Sequence, residues 1–189
     1  MSVREKKEIF KALFEPRSIA VIGASNNPLK PGGRVTKNIM DNGYQGDLWA
    51  VNPKGLPIMG LPTYGSVEEL PGVPDLSIVA IPAPGVRNAL ESLARKGCKA
   101  TIILTAGFGE KDEEGKKEER VFLEIAERAG MVLIGPNCSG FLTPAYAGKF
   151  AGIIPRLKER SVDFISGSGA TVDYVMEQAA SRGLTFTAV

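Results

Sequence analysis

The sequence predicts an α/β protein: a doubly wound parallel sheet covered by helices on both faces, followed by the beginning of a second α/β unit. Three observations carry this prediction. Short apolar runs recur between residues 19 and 134, and they are near-continuous rather than alternating, which marks strands buried on both faces. Segments of helical spacing separate them, and strand–helix alternation of this kind builds parallel sheets. Turns rich in glycine and proline follow the carboxyl ends of the runs, most conspicuously after residues 19–25.

Taken in order, residues 5–14 place Ile9, Phe10, Leu13 and Phe14 on one helical face, and Glu15-Pro16 ends that helix. Residues 19–25 are the first strand. The turn 26–34 leads into a helix over 33–42, closed by Asn42-Gly43, and 46–52 is the second strand. Residues 53–62 hold too many prolines and glycines for a helix and read as an extended loop or small hairpin; 66–70 reads as a short capped turn of helix. Residues 76–81 are the third strand, 84–96 a helix entered through Pro82-Ala-Pro84, and 99–105 the fourth strand. The helix at 114–129 carries Val121, Phe122, Ile125, Ala126 and Ala129 on one face, and the fifth strand, 131–134, closes at 135–140. Residues 1–145 therefore form a Rossmann-type domain. Residues 146–160 lose periodicity and read as a linker. The pattern then restarts with a strand at 161–166, a glycine turn at 167–169, a helix at 170–181 and a strand at 184–189. A βαβ opening this short is not a stable domain by itself. Residues 161–189 thus read as the truncated start of a second domain, in preference to extra strands on the first sheet.

Composition excludes several function classes. The balance of 23 Lys+Arg against 21 Asp+Glu, a net +2, is too even to suggest nucleic acid as a partner. The two cysteines suit a reducing compartment, the charged start resembles no signal peptide, and no apolar run approaches the roughly 20 residues that span a bilayer. The expectation is a cytoplasmic protein without a membrane partner. Histidine is absent. This removes Ser-His-Asp and Cys-His nucleophiles, His-ligated zinc and a phosphohistidine from these residues, so no catalytic residue and no metal ligand is assigned.

The candidate site lies at the carboxyl edge of the strands. A helix N-terminus after a glycine-rich turn offers unpaired N–H groups and a dipole that favours an anion. An NAD fingerprint needs a glycine two residues after Gly23, where Ser25 stands, and an acid after the second strand, where Lys54 stands. This favours a ligand with an extra ribose phosphate, NADP or coenzyme A; the alternative is that Lys54 is a solvated loop lysine. Ile81, Pro82, Ala83 and Pro84 form a rigid apolar lip suited to a flat base, or equally an ordinary strand-to-helix turn. Thr105 to Gly107, Asn137 and Cys138 share that edge. Cys138 has no histidine to activate it and reads as a small packing residue beside a ligand. The charged run 110–120 reads as a solvated helix start.

The motifs Ile22-Gly-Ala-Ser25, Val51-Asn-Pro-Lys54, Ile81-Pro-Ala-Pro84, Thr105-Ala-Gly-Phe108, Gly135-Pro-Asn-Cys138 and Ser166-Gly-Ser-Gly169, in this order, closely resemble the N-terminal part of NDP-forming acyl-CoA synthetases, the ADP-forming acetate–CoA ligases. These are relatives of the succinyl-CoA synthetase α subunit. The resemblance implies a CoA-binding Rossmann domain followed by flavodoxin-like domains. The implied reaction interconverts acyl-CoA, ADP and phosphate with free acid, CoA and ATP through an acyl phosphate and a phosphohistidine. It implies that Gly23, Ala24, Ser25 and the turn with Gly32, Gly33 and Arg34 contact CoA phosphates. Asn52, Pro53 and Lys54 follow, with Lys54 on a phosphate of the ADP moiety. Ile81, Pro82 and Ala83 border the adenine, Thr105, Ala106 and Gly107 run along the nucleotide and pantetheine, and Asn137 and Cys138 sit near the thiol. Ser166, Ser168 and Gly169 receive phosphate at a second helix N-terminus, although Gly167 stands where the family commonly has a longer polar side chain. The implied partner is an ATP-grasp domain or subunit. The family's phosphohistidine lies beyond residue 189, so this chain is expected to bind CoA without catalysing. The alternatives are a CoA-sensing module fused to a protein acetyltransferase and an NADP-binding oxidoreductase domain.

Overall fold

In the first strand, β1 (Ser18–Ile22), every residue is buried, and successive side chains leave on opposite sides. Ile19 and Val21 enter one apolar core, Ala20 and Ile22 another. The computed structural model, which describes residues 3–155, 157–158 and 160–189, extends this two-sided burial across a six-stranded parallel sheet. Arg156 and Glu159 of the expected linker, with Met1 and Ser2, lie outside the described residues.

Besides β1, the sheet contains β2 (Asp47–Val51), β3 (Thr63–Tyr64), β4 (Leu76–Val79), β5 (Ala100–Ile103) and β6 (Val132–Ile134) in the order β3-β2-β1-β4-β5-β6. All pairs are parallel, with Ile19 opposite both Leu48 and Leu76. This is the strand order of doubly wound dinucleotide-binding sheets, and the direction of winding reverses between β1 and β4. Helices α1 (Val3–Phe14) and α2 (Pro31–Asp41) cover one face through Ala12, Leu13, Val35 and Ile39. Helices α3 (Val86–Lys96) and α4 (Glu113–Ala129) cover the other through Leu90, Leu93, Phe122 and Ile125. The Rossmann-type expectation for the sheet is met.

The elements differ from expectation where local signals are weak. The buried arc of α1 is Ile9, Ala12 and Leu13, the i, i+3, i+4 set. Phe10, one residue off that arc, is 60% exposed, and Phe14 lies at its border, edge-on to Phe141 at 5.1 Å. Helix α2 starts at Pro31 rather than residue 33, because proline suits the first helical position. The loop 53–62 carries a small antiparallel bridge, Ile58–Leu61, but then adds β3, a two-residue strand too short to leave an alternating pattern. Residues 66–70 are not helical; Leu70 N–H donates to Val67 O at 3.3 Å in a single turn.

The largest correction concerns the stretch expected to be an aperiodic linker. Strands β7 (Gly140–Leu142) and β8 (Ala147–Lys149) form an antiparallel hairpin, so residues 146–149 belong to ordered structure. Tyr146 is buried, its hydroxyl donating to Leu13 O at 2.9 Å, and burial pushes its phenol pKa up. Three-residue strands containing Gly140 and Gly148 are too short to show a period, which hides them from sequence reading. Beyond them come β9 (Val162–Asp163), α5 (Gly169–Ser181) and β10 (Phe186–Ala188), with both strands shorter than expected. The tail adds no strand to the six-stranded sheet: β9 and β10 pair with each other in parallel. A third core of Leu142, Ala147, Val172, Met176, Ala179, Phe186 and Val189 joins this unit to the hairpin, and Leu142 and Val189 exchange both backbone hydrogen bonds at 2.7 and 3.0 Å.

Phe122 is 1% exposed and meets Phe108 edge-on at 5.0 Å, which ties α4 to the loop after β5. Phe122→Ala is expected to destabilise the fold by about 3–5 kcal/mol, read as a lowered urea midpoint at unchanged slope.

Candidate functional site

The site begins where β1 stops. Gly23 takes φ +94°, and a Cβ there would lie 2.5 Å from Ala80 O, so the turn requires glycine. Its N–H still donates to Val51 O at 2.9 Å, which keeps the strand end in the sheet. Ser25 Oγ accepts from Asn27 N–H at 3.1 Å and Asn27 Oδ1 accepts from Leu29 N–H at 2.9 Å, so two successive side-chain turns steer the chain into α2. Gly32 and Gly33 then press α2 against that turn: an added Cβ would lie 2.0 Å from Gly23 O and 2.0 Å from Asn27 O. Helix α2 has no side-chain cap and no acidic residue in its first turn. Its leading N–H groups, beyond Pro31, meet no carboxylate there.

The loop after β2 is tied to this turn by amides. Asn52 Nδ2 donates to Ala24 O at 2.8 Å while its Oδ1 accepts from Lys54 N–H at 3.0 Å. Asn26 does the same farther out, donating to Pro57 O at 2.9 Å and accepting from Met59 N–H at 2.8 Å. On the other side of the switch point, Thr105 Oγ1 donates to Ile81 O at 2.8 Å, and Asn137 N–H donates to Thr105 O at 2.9 Å. Glu110 accepts from the N–H groups of Gly107 and Phe108, and these bonds, Gly107 first, hold its carboxyl below the usual range.

Between these walls lies a cleft of about 920 Å³. Of the residues expected to contact a ligand, Gly23, Ser25, Asn52, Pro53, Lys54, Ile81, Pro82, Thr105, Ala106 and Asn137 line it. The others stand behind or beside it. Ala24, Gly32 and Gly33 are buried in the packing of the turn, Arg34 is exposed on α2, and Ala83 and Gly107 lie just past the lining segments. Cys138 donates its Sγ–H to Ile103 O at 3.3 Å, and burial pushes its thiol pKa up. Ser166, Ser168 and Gly169 lie outside the cleft. Ser168 Oγ caps α5 by accepting from Thr171 N–H at 3.3 Å, Ser166 Oγ accepts from Ser168 N–H at 3.1 Å, and Gly169 abuts Ser139. Nine lining residues were not among those expected from the sequence, Lys30, Asn26, Asn27, Leu56, Ile58 and Phe150 among them. Lys30 sits in the same turn as Ser25 and was open to the same reasoning; Phe150 lies in an aperiodic stretch that gave no signal.

The cleft's charges are one-sided. Lys30 and Lys54 line it, no carboxylate does, and among the described residues neither lysine has an ion-pair partner. Among the described residues no group of three or more His, Cys, Asp or Glu is placed to hold a metal, and no helix is long and apolar enough to cross a membrane. Two lysines without an ion-pair partner among the described residues, a helix N-terminus and an apolar proline lip at a topological switch point are the features of a binding domain for a phosphate-bearing nucleotide.

The comparison with known families specifies which one. A family model described as a CoA binding domain matches residues 17–144, and the chain belongs to this family of coenzyme A-binding domains. It is 46% identical over 158 residues to the ADP-forming acetate–CoA ligase II subunit alpha of Pyrococcus furiosus, covering 83% of this chain and 34% of that protein. It is 38% identical over 179 residues to the ADP-forming acetate–CoA ligase I of Archaeoglobus fulgidus, covering 94% of this chain and 26% of that protein. The crystal structure of PH0766 from Pyrococcus horikoshii superimposes with a TM-score of 0.87 at 38% identity, over 95% of this chain and 41% of that one. The chain thus spans about a quarter to a third of the length of these curated relatives.

The raised thiol of Cys138 gives a direct check on its inertness. At pH 7 the native protein should react with iodoacetamide more slowly than free cysteine does, the rate rising only as pH climbs above the ordinary thiol range. Rapid labelling at neutral pH would mark an activated nucleophile instead.

Proposed function

We propose that the switch-point cleft is the coenzyme A site and that the chain is the CoA-binding part of an ADP-forming acyl-CoA synthetase. The observation that carries this reading is a pair of lysines, Lys30 and Lys54, that have no ion-pair partner and no lining carboxylate beside them among the described residues, in the cleft at the start of α2. Membership of the CoA-binding family and the likeness to ligases named for acetate and CoA support it. In this reading the α2 N-terminus and Lys30 face the diphosphate, and Lys54 meets a phosphate on the ADP moiety. Where an NAD site places an acid for free ribose hydroxyls, a lysine here favours a phosphorylated ribose. Ile81 and Pro82 flank the adenine, Thr105 and Ala106 follow the pantetheine, and Asn137 lies toward the thiol. Cys138 supports that end from behind.

The division of labour follows from chemistry. The synthetase reaction runs through an acyl phosphate and a phosphohistidine, and this chain contains no histidine. The phosphate-carrying and nucleotide-handling steps therefore belong to other segments or to a partner of the ATP-grasp kind. Residues 1–145 form the body of the CoA domain, and 161–189 open the next unit. Ser166, Ser168 and Gly169 stand apart from the CoA cleft, at the N-terminus of α5, which in this reading is a second place for phosphate.

Isothermal titration with CoA, dephospho-CoA and NADPH tests the reading. CoA should bind and NADPH should not; the reverse outcome overturns it. Lys54→Ala should weaken CoA by about 1–2 kcal/mol, the worth of one charge-assisted phosphate contact. An unchanged affinity returns Lys54 to the solvent.

A further inference from the structure

The β7–β8 hairpin faces two ways. By strand alternation Phe141 and Tyr146 enter the core beneath the first sheet, while Leu142 and Ala147 enter the core under α5. Two residues beyond Ala147, on the same side, is Lys149, which is 1% exposed. Its Nζ donates to Asp173 of α5 and to Ala151 O. Asp173 is part-buried, its side chain 24% exposed, and the chain at Gly152 packs against it: a Cβ there would lie 2.3 Å from its Oδ1. The next residue, Phe150, points to the other side and forms part of the cleft wall. Its position is fixed by its own N–H, which donates to Ser139 O at 3.1 Å, and by the preceding carbonyl, Lys149 O, which accepts from Asn38 Nδ2 of α2 at 2.6 Å.

A buried lysine–carboxylate pair adds little net stability over an apolar pair of the same shape, but loss of the carboxylate here strands the Lys149 ammonium out of water. Such a pair specifies a position more than it stabilises one. Here the position is that of residues 149–151, and the side chain carried on it lines the ligand cleft. We propose that Lys149–Asp173 is a latch through which the seating of α5 sets the placement of Phe150, so that coenzyme A affinity is governed in part from outside the CoA domain. Lys149 and Asp173 are positioning residues on the side of the hairpin away from the cleft. The inference rests on the reading of the cleft as the coenzyme A site. Its consequence is reciprocal: what loosens α5 weakens CoA, and CoA in turn firms α5.

Hydrogen exchange on the unsubstituted chain, with and without saturating CoA, tests the coupling without risk to the fold. CoA should slow exchange in the 23–34 turn and also in residues 174–181 of α5, which do not line the cleft. Protection of the turn alone overturns the latch while leaving the CoA site intact; no protection at either place removes the CoA site and the latch with it. Titration of variants gives the second arm. Asp173→Asn should weaken CoA by about fivefold or more, the lower range of measured couplings between sites. Phe150→Ala should weaken CoA in the parent and add little in the Asp173→Asn background. An unchanged affinity in Asp173→Asn, or two losses that simply multiply, overturns the proposal.

Discussion

The carboxyl edge of this protein depends on a steric condition: helix α2 lies flush against the turn that follows β1. An added Cβ at Gly32 or Gly33 would sit 2.0 Å from a backbone oxygen, far inside van der Waals contact. With that contact made, the N-terminal turn of α2 arrives at the end of β1, where the sheet order reverses. The loop after β2 is hung on the same turn by Asn52 and Asn26, and the loop after β4 approaches Gly23 closely enough to demand glycine there. A methyl group at any of these positions displaces several walls of the cleft together. The glycines act by what they leave out, and most never touch the open space.

The cleft has the chemistry of holding rather than of reacting. Its polar side chains are the amides of Asn26, Asn27 and Asn52, each engaged with backbone, the Asn137 amide, the Ser25 and Thr105 hydroxyls, each in a bond to backbone, and two lysines. A carboxylate or an imidazole able to move a proton is not among its lining residues. The thiol nearby, Cys138, is half-buried, and desolvation pushes its pKa up. In the proposed coenzyme A reading, such a surface takes the anion and the aromatic base of the ligand and leaves its reacting end to other segments.

How far this was legible in the sequence depends on length and burial. Strands β1, β2, β4, β5 and β6 are short but mostly apolar, because both faces of the sheet are covered, and they were readable with ends off by three residues at most. Strand β3 pairs through only Thr63 and Tyr64, and β7 and β8 hold three residues each with a glycine in both, so no period could form. Their order comes from partners distant in sequence: Tyr146 reaches Leu13, Asn38 reaches Lys149, Leu142 reaches Val189. The site divides in the same way. Ser25 and Lys54 were legible because they stand where a fingerprint asks for other residues. Gly32 was read as part of the turn and Gly33 as the helix start, whereas both lie in the first turn of α2, packed against Gly23 O and Asn27 O. Phe150 reaches the cleft by tertiary packing alone, which single-sequence patterns do not encode.

The double-faced hairpin also bears on how the chain divides into parts. A cut at residue 145, where the periodic pattern fades, would remove β8 and leave β7 as an unpaired edge. It would take away Tyr146, uncovering the end of α1, and Phe150, opening the cleft on one side. A cut after Phe150 keeps both but bares Leu142, Ala147 and the Lys149 ammonium to water. The CoA domain thus has no clean carboxyl boundary: its last strand is also the floor on which the following unit is built, and the two share that strand much as adjoining rooms share a wall.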